Sequence, residues 1–151
     1  MKVTKQLSQQ DRQPGPDHEA MVELARQAMA KSYSPYSGFK VGAVVVTRNG
    51  SVFSACNVEN ASYPEGTCAE AGAISAMVMA GQQRIQAIYV IGAGDGLVSP
   101  CGGCRQRIRE FADSTTTVHI CGPEGIRKSL LLDQLLPYSF GPQHLNVAQA
   151  D

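Results

Sequence analysis

The feature that most constrains this chain is a set of three cysteines and one glutamate at fixed spacings. Cys68 is followed two residues later by Glu70, and Cys101 and Cys104 form a Cys-x-x-Cys pair directly after Pro100. Three thiolates describe a tetrahedral Zn²⁺ site with one position left for water, and a nearby carboxylate that is not a ligand is suited to moving protons. The fold must therefore bring together two segments that are far apart in the sequence.

Both segments are predicted to lie at the beginnings of helices. Thr67 is suited to cap a helix that contains Cys68, and Ser99 with Pro100 marks the start of a helix that contains the Cys-x-x-Cys pair. Free backbone N–H groups and the positive end of the helix dipole stabilise thiolates at such positions. We therefore expect two helix N-termini to converge on the metal and to offset part of the negative charge that three thiolates leave there.

Each part of this pattern also has a simpler interpretation. Thr67 and Glu70 fit a capping box, in which the Glu70 carboxylate would only accept a hydrogen bond from the backbone N–H of Thr67. Cys101 and Cys104 alone fit a redox pair or half of a structural zinc site. The combination favours catalytic zinc, because a ligand-x-Glu motif followed by Pro-Cys-x-x-Cys is the signature of zinc-dependent nucleobase and nucleoside deaminases.

Further motifs extend this similarity along most of the chain, in the expected order: Ser34-Pro35-Tyr36-Ser37-Gly38-Phe39, Val41-Gly42-Ala43, Asn57-Val58-Glu59-Asn60-Ala61-Ser62-Tyr63 and Phe140-Gly141-Pro142. The sequence resembles the small, homotetrameric, zinc-dependent cytidine deaminases over residues 17–145. This resemblance implies a three-layer α/β/α fold around a five-stranded mixed sheet. It also implies a Zn²⁺ cofactor, a nucleoside substrate and a homo-oligomer, a tetramer, whose neighbouring chains share active sites.

The resemblance implies a role for each of five further residues. Phe39 and Phe140 would flank the base of the substrate, with Phe140 supplied by a neighbouring subunit. Asn57 and Glu59 would hold the ribose hydroxyls. Tyr63 would line the same pocket from across the subunit boundary.

The reaction implied by the resemblance is hydrolytic deamination of cytidine and 2'-deoxycytidine in pyrimidine salvage. Hydroxide generated at the zinc would attack C4, with Glu70 as the proton shuttle, and the products would be ammonia and uridine or 2'-deoxyuridine. The alternative within this chemistry is a deaminase of a modified cytosine nucleoside, either blasticidin S-like or substituted at N4 or C5. The alternative outside it is a non-catalytic zinc-binding protein or a thiol redox protein.

Two positions depart from the family pattern. Ala71 stands where the family commonly has an arginine that hydrogen-bonds the zinc thiolates, and Glu65 adds a carboxylate just before the motif. Arg105, directly after Cys104, is a candidate to offset the charge of the thiolates instead.

Composition narrows the class of protein. The chain of 151 residues is expected to form one domain over residues 17–145, with flexible tails at 1–16 and 146–151. Its 13 basic and 13 acidic residues leave no net charge to attract a nucleic acid. No apolar run approaches the about 20 residues that span a bilayer, so we expect a cytoplasmic protein without a membrane partner. Cys56 and Cys121 lie in apolar segments and are interpreted as buried side chains, not as a disulfide.

Local patterns predict the first half of the secondary structure. Asp17 is suited to cap a helix that runs to about residue 32. Residues 40–47 and 51–57 are expected to form a hairpin that turns at Asn49-Gly50. A second helix is expected over residues 67–80, ended by Gly81.

In the second half, strands are predicted over residues 87–91 and 115–120, on either side of a helix over residues 99–111. Residues 124–136 are predicted to form a last helix that Pro137 ends. These patterns locate four of the five strands that the resemblance implies. His18, His119 and His144 lack ligand spacing and are expected to be structural or exposed to solvent.

Overall fold

The structure is a computed structural model that describes residues 15–145, so residues 1–14 and 146–151 of the two predicted tails lie outside the described part. Five strands form one mixed sheet in the order β2-β1-β3-β4-β5. The strands are β1 (Val41–Thr47), β2 (Val52–Cys56), β3 (Ile85–Gly92), β4 (Thr117–Gly122) and β5 (Gly125–Leu131). β3 and β4 are parallel, and the other neighbouring pairs are antiparallel.

The helices cover both faces of this sheet. They are α1 (His18–Ala30), α2 (Ala69–Met79), α3 (Gly102–Glu110) and the single turn α4 (Leu132–Leu135). Short 3₁₀ turns occupy Tyr63–Glu65 and Pro142–Leu145. The predicted three-layer α/β/α arrangement with a five-stranded mixed sheet is confirmed.

Alternating side chains of the central strands produce two separate cores. Val44 and Val46 of β1 pack with residues of α1 on one face of the sheet. Ala43 and Val45 point to the opposite face and pack with residues of α2 and α3. This follows from the two-residue period of a strand, since both faces of β1 are covered and all four side chains are apolar.

The first predicted elements are confirmed by the structure. The Asp17 carboxylate accepts a hydrogen bond from the backbone N–H of Ala20 and caps α1. β1 and β2 form the predicted hairpin, and Gly50 has the positive φ of +86° that the turn requires. Gly81, with a φ of +82°, directly follows the cap residue at the end of α2.

The predicted helix over residues 124–136 is wrong for most of its length. Gly125–Leu131 is instead β5, the fifth strand, which pairs antiparallel with β4. Gly125 has a φ of +140°, a conformation outside any helix, and it reverses the chain directly after β4. The following segment therefore pairs with β4 along that strand's free side, and only Leu132–Leu135 is helical.

Both helices at the cysteines begin later than predicted. Cys68 is the N-cap of α2, whereas the backbone N–H of Thr67 donates to the carbonyl of Val58 at 2.8 Å. Cys101 is the N-cap of α3, so Ser99 and Pro100 lie ahead of the helix and not in its first turn. α3 follows β3, and β4 returns parallel to β3, which places the start of α3 beyond the carboxyl end of β3. Binding sites in parallel α/β sheets occur at this edge.

Two of the histidines flank a buried tyrosine between α1 and the sheet. The Nδ1 of His18 lies 2.7 Å from the Tyr89 hydroxyl, and the His119 ring stacks on Tyr89 with 4.5 Å between ring centroids. The structural interpretation of His18 and His119 agrees with these contacts. Within the described part of the chain, no helix is both long enough and apolar enough to span a bilayer.

Candidate active site and metal centre

The three predicted ligands meet at the N-termini of α2 and α3. The sulfur atoms of Cys68, Cys101 and Cys104 all lie within 4.8 Å of one another, and those of Cys68 and Cys101 are 3.9 Å apart. Two sulfurs bound to one tetrahedral zinc at about 2.3 Å are separated by about 3.8 Å. The spacing of the thiols therefore fits Zn²⁺ with three protein ligands and a fourth position for water.

The helix starts explain why the thiols gather there. Cys68 and Cys101 are the N-cap residues of their helices, and neither side chain makes a capping hydrogen bond. Cys104 is the third residue of α3, one turn further on and fully buried. The sulfurs therefore lie at two converging positive helix ends, where free backbone N–H groups favour negative charge.

The surroundings of the three thiols shift their pKa values in different directions. Burial raises the pKa values of the Cys68 and Cys104 thiols. Burial acts in the same direction on Cys101, but hydrogen bonds from Cys104 and Cys68 outweigh it, and the pKa of Cys101 is lowered. Because zinc binds thiolates, metal binding at this site must release protons.

Glu70 is a buried carboxyl group beside this cluster and does not form the capping box. It is only 4% exposed, and burial raises its pKa, while the Cys104 thiol and the charge of Arg107 act in the opposite direction. The backbone N–H of Thr67, which a capping box would pair with Glu70, is bonded to Val58. A raised pKa suits a group that both accepts and returns a proton.

A cavity of about 480 Å³ leads to the metal centre. Cys68 belongs both to the thiol cluster and to the cavity wall, which also includes the predicted residues Asn57, Glu59 and Tyr63. Tyr63 lines the cavity of its own chain. The sequence analysis assigns no site role to the remaining lining residues, which are Tyr36, Ser37, Val58, Asn60, Gly66 and Thr67.

Asn57 is held in one orientation by three partners. Its carbonyl oxygen accepts hydrogen bonds from the Ser32 hydroxyl and, at 2.9 Å, from the backbone N–H of Val41. Its amide nitrogen donates to the carbonyl of Phe39 at 2.8 Å. The two acceptor positions of the side chain are therefore filled, and its second amide hydrogen is the group it offers to a ligand.

Glu59 is fixed by the loop that carries Tyr36 and Ser37. Its Oε1 accepts hydrogen bonds from the backbone N–H groups of Tyr36 at 3.0 Å and of Ser37 at 3.1 Å. Hydrogen bonds from Ser37 lower the pKa of Glu59, so the side chain is an anionic acceptor at neutral pH. Both bonds use one oxygen atom, and the carboxylate has acceptor capacity for a ligand hydroxyl.

The two predicted base-flanking aromatics are exposed in a single chain. Phe39 is 44% exposed and Phe140 is 57% exposed. Of the residues that the structure describes, neither is among those lining the cavity. Phe140 stacks on His144, with 5.1 Å between ring centroids, and its carbonyl accepts a hydrogen bond from Gln106. In a single chain the cavity wall therefore does not include these two rings.

Arg105 does not contact the thiols, contrary to the prediction from its position beside Cys104. It donates hydrogen bonds to the carbonyls of Pro100 and Leu135, at 2.8 Å each, and to the Ser99 hydroxyl at 3.0 Å. These bonds hold the segment before α3 against the end of α4. Arg105 therefore supports the shape of the metal site without neutralising its ligands.

Comparison with known proteins agrees with this geometry. Residues 16–120 match the model of the cytidine and deoxycytidylate deaminase zinc-binding region. The chain belongs to this family. The family is defined by a zinc-binding region, and the cluster of three sulfurs in this chain fits Zn²⁺.

Curated relatives are similar over most of their length. The cytidine deaminase of Sporosarcina psychrophila is 34% identical over 132 residues, which are 87% of this chain and 97% of that protein. The cytidine deaminase of Mycobacterium tuberculosis is 36% identical over 129 residues, which are 85% of this chain and 92% of that protein. The chain is accordingly an enzyme of the hydrolytic cytidine deaminase family.

Solved structures confirm the deaminase fold. The crystal structure of cytidine deaminase from Burkholderia pseudomallei superposes with a TM-score of 0.77 at 42% identity, covering 82% of this chain and 98% of that one. The crystal structure of the Mycobacterium tuberculosis enzyme gives a TM-score of 0.72 at 35% identity, covering 84% and 99%. The predicted cytidine deaminase-like fold is therefore confirmed.

Proposed function

We propose that this enzyme hydrolyses cytidine and 2'-deoxycytidine to uridine and 2'-deoxyuridine with release of ammonia, as part of pyrimidine salvage in the cytoplasm. The observation that carries the proposal is the buried carboxyl group of Glu70 beside three thiols that fit zinc, at a cavity large enough for a small ligand. The named relatives are cytidine deaminases, which supports a cytosine nucleoside as the substrate.

Glu70 performs the proton transfers in this proposal. Zn²⁺ held by Cys68, Cys101 and Cys104 supplies, when bound, a Lewis acid that makes a water molecule acidic at neutral pH. Glu70 accepts the proton that water loses as its oxygen adds to C4 of the base. The same carboxyl group delivers this proton to ring N3. It then takes a second proton from the hydroxyl group now on C4 and passes it to the amino group, which leaves as ammonia while the C4 carbonyl forms. The raised pKa of Glu70 favours the return of each proton.

The polar cavity residues orient the sugar. Asn57 offers its second amide hydrogen to one ribose hydroxyl, and Glu59 accepts a hydrogen bond from another. Because both side chains are already fixed by Val41, Tyr36 and Ser37, they bind the sugar without further ordering. An anionic acceptor beside ribose also disfavours a phosphorylated sugar, so free nucleosides are the expected substrates.

We propose that the active enzyme is a homo-oligomer, a tetramer, in which Phe140 of one chain closes the cavity of its neighbour. Tyr138 and Phe140 are exposed near the end of the described chain, and Tyr63 at the cavity is 74% exposed. Exposed aromatic rings at the cavity and near the end of the described chain are available to pack against a second copy of the chain. Phe39 and the neighbour's Phe140 then flank the base.

The test of the proposed function is the substitution Glu70→Gln. It keeps the shape of the side chain and removes its ability to take up a proton, so turnover of cytidine should fall by at least about 10²- to 10⁴-fold while one zinc per chain remains. Ammonia release and metal content are measured on the same samples. Glu110→Gln, an exposed position at the end of α3, is the matched control and should keep full turnover.

Near-normal turnover of the Glu70→Gln enzyme would contradict the proposed role. A deamination screen over cytosine, cytidine, 2'-deoxycytidine, their methylated and acylated forms and blasticidin S defines the substrate. Preference for a modified nucleoside would replace cytidine in the proposal. A protein without zinc or without any deaminase activity would indicate the redox or scaffold alternative instead.

A further inference from the structure

The metal centre concentrates negative charge in a small volume. Three thiolates outweigh the charge of one Zn²⁺ ion, and the carboxyl group of Glu70 lies beside them. Electron-rich thiolates reduce the power of the metal to acidify water, so a positive group bonded to a ligand sulfur would favour the proposed reaction. Within residues 15–145, the structure records one such contact: Nη1 of Arg107 lies 3.7 Å from the sulfur of Cys104.

The arginines of α3 have different partners. Arg105 is bonded to Pro100, Ser99 and Leu135, and Arg109 donates to the Ser139 hydroxyl at 2.8 Å. Arg107 is three residues after Cys104, so the two side chains share a face of the helix. The guanidinium group is therefore directed back along α3 towards the metal centre.

A neighbouring glycine leaves room for this contact. A Cβ atom at Gly103 would lie 3.1 Å from Nη1 of Arg107, tighter than an ordinary contact, whereas a Cβ atom at Gly102 would meet nothing within 4 Å. The two glycines are adjacent in the first turn of α3 and differ in this respect. Gly103 thus provides the space through which the Arg107 guanidinium approaches Cys104.

We propose that Arg107 is a positioning residue of the zinc centre, which withdraws charge from the Cys104 thiolate through an N–H···S hydrogen bond and so maintains the acidity of the metal-activated water. The inference rests on the proposed function, because the hydrogen bond can affect turnover only if the metal activates water for deamination. Arg107 does not line the substrate cavity. Its loss is therefore expected to lower kcat and to leave KM nearly unchanged.

The test compares Arg107→Gln and Arg107→Lys in the zinc-loaded enzyme. Outer groups that bond metal ligands typically contribute about 10- to 100-fold to activity, so Arg107→Gln should lower kcat by that factor. Lysine restores the positive charge and should recover part of the loss. Arg107 is exposed, so neither substitution should prevent folding. Arg48→Gln, on the far side of the molecule in an ion pair with Asp113, controls for the loss of one surface charge.

A second readout does not depend on activity. With Co²⁺ in place of Zn²⁺, the sulfur-to-metal charge-transfer absorption reports the electron density of the thiolates. Loss of the hydrogen bond makes the Cys104 thiolate a stronger donor, so the band should move to lower energy in Arg107→Gln. Gly103→Ala should produce a smaller shift in the same direction, and Gly102→Ala should produce none.

The outcomes separate this inference from the proposed function. An enzyme that deaminates cytidine but shows neither a lower kcat nor a shifted band in Arg107→Gln overturns the role of Arg107. A fall in kcat with an unchanged band also overturns it, because Arg107 would then act away from sulfur. A shifted band with unchanged kcat would overturn the proposed effect of Arg107 on the reaction. Absence of all deaminase activity in the unmodified enzyme would refute the proposed function alone, since the cobalt spectra still test the contact.

Discussion

Phe140 provides the sharpest test of whether the active site is shared between chains. The experiment mixes two defective chains, one carrying Glu70→Gln and the other carrying Phe140→Ala. In the shared arrangement, a cavity formed by the Phe140→Ala chain keeps its own Glu70 and receives an intact Phe140 from the Glu70→Gln chain. That cavity is complete, although neither parent enzyme contains a complete one.

The size of the Phe140 effect follows from its exposure. The ring is 57% exposed in one chain, and among the aromatic rings of the described residues it stacks only on His144. Its truncation should therefore leave the fold of the chain intact. Stacking of a base on an aromatic side chain is worth about 1 to 3 kcal/mol in nucleic-acid binders, which corresponds to about a 5- to 150-fold weaker apparent affinity. At substrate concentrations well below KM, the pure Phe140→Ala enzyme should therefore have about 1 to 20% of the rate of the unmodified enzyme.

If equal amounts of the two chains assemble at random, the activity expected of the mixed oligomers can be calculated. About a quarter of the cavities receive both Glu70 from one variant and Phe140 from the other, so the mixture should reach about 25 to 30% of the unmodified rate per site at low substrate. If each chain builds its site alone, the mixture has only half the rate of pure Phe140→Ala, about 0.3 to 10%.

The assay needs verified mixed oligomers. Co-expression of the two chains with different affinity tags, followed by purification on both tags, provides them, and zinc content is measured to exclude metal loss. A rate at or below half that of the Phe140→Ala enzyme would refute the shared site. Monomeric protein with full activity would refute it as well.

Two further predictions concern stability. Gly42→Ala should lower the free energy of unfolding by about 3 kcal/mol or more in urea titrations, because the new Cβ atom would lie 2.1 Å from the carbonyl oxygen of Ala25 and 2.6 Å from the backbone nitrogen of Met29; unchanged stability would show that α1 moves freely away from β1. His119, 6% exposed, has its pKa lowered from 6.5 to about 4 by burial and by the neighbouring His18. The unfolded chain therefore binds a proton that the folded protein excludes, and stability should fall by up to about 3 kcal/mol between pH 6.5 and pH 4. His119→Gln should remove this part of the acid dependence, and an identical pH profile for the variant would show that His119 does not cause it.

The elements predicted correctly from sequence are those specified by local signals. Asp17 at the start of α1 and Asn49-Gly50 between β1 and β2 act within a few residues of where they stand. Sequence patterns do not predict β5, because the apolar positions of residues 126–136 also fit a helix. Its strand conformation depends on pairing with β4, which is a tertiary contact, and on the turn at Gly125.

In the candidate site, too, some features follow from the local sequence and others depend on tertiary contacts. The clustering of Cys68, Cys101 and Cys104 could be predicted from their spacing, because metal coordination restricts residue type and separation together. The atoms that fix Asn57 and Glu59 could not be read in this way. Ser32 is 25 residues from Asn57, and Tyr36 is 23 residues from Glu59, so only the folded chain brings these partners together.

For the arginine that contacts Cys104, helical spacing in the sequence is a better guide than adjacency. Adjacency to Cys104 favoured Arg105, but the next residue in a helix points about 100° away from the one before it. Arg107, at the i+3 position, returns to within about 60° of Cys104, and this relation holds wherever α3 begins. The error of two residues in the predicted helix start therefore did not hide the contact. Helical periodicity applied to the ligand itself would have selected Arg107, and the small residue at Gly103 would have supported that choice.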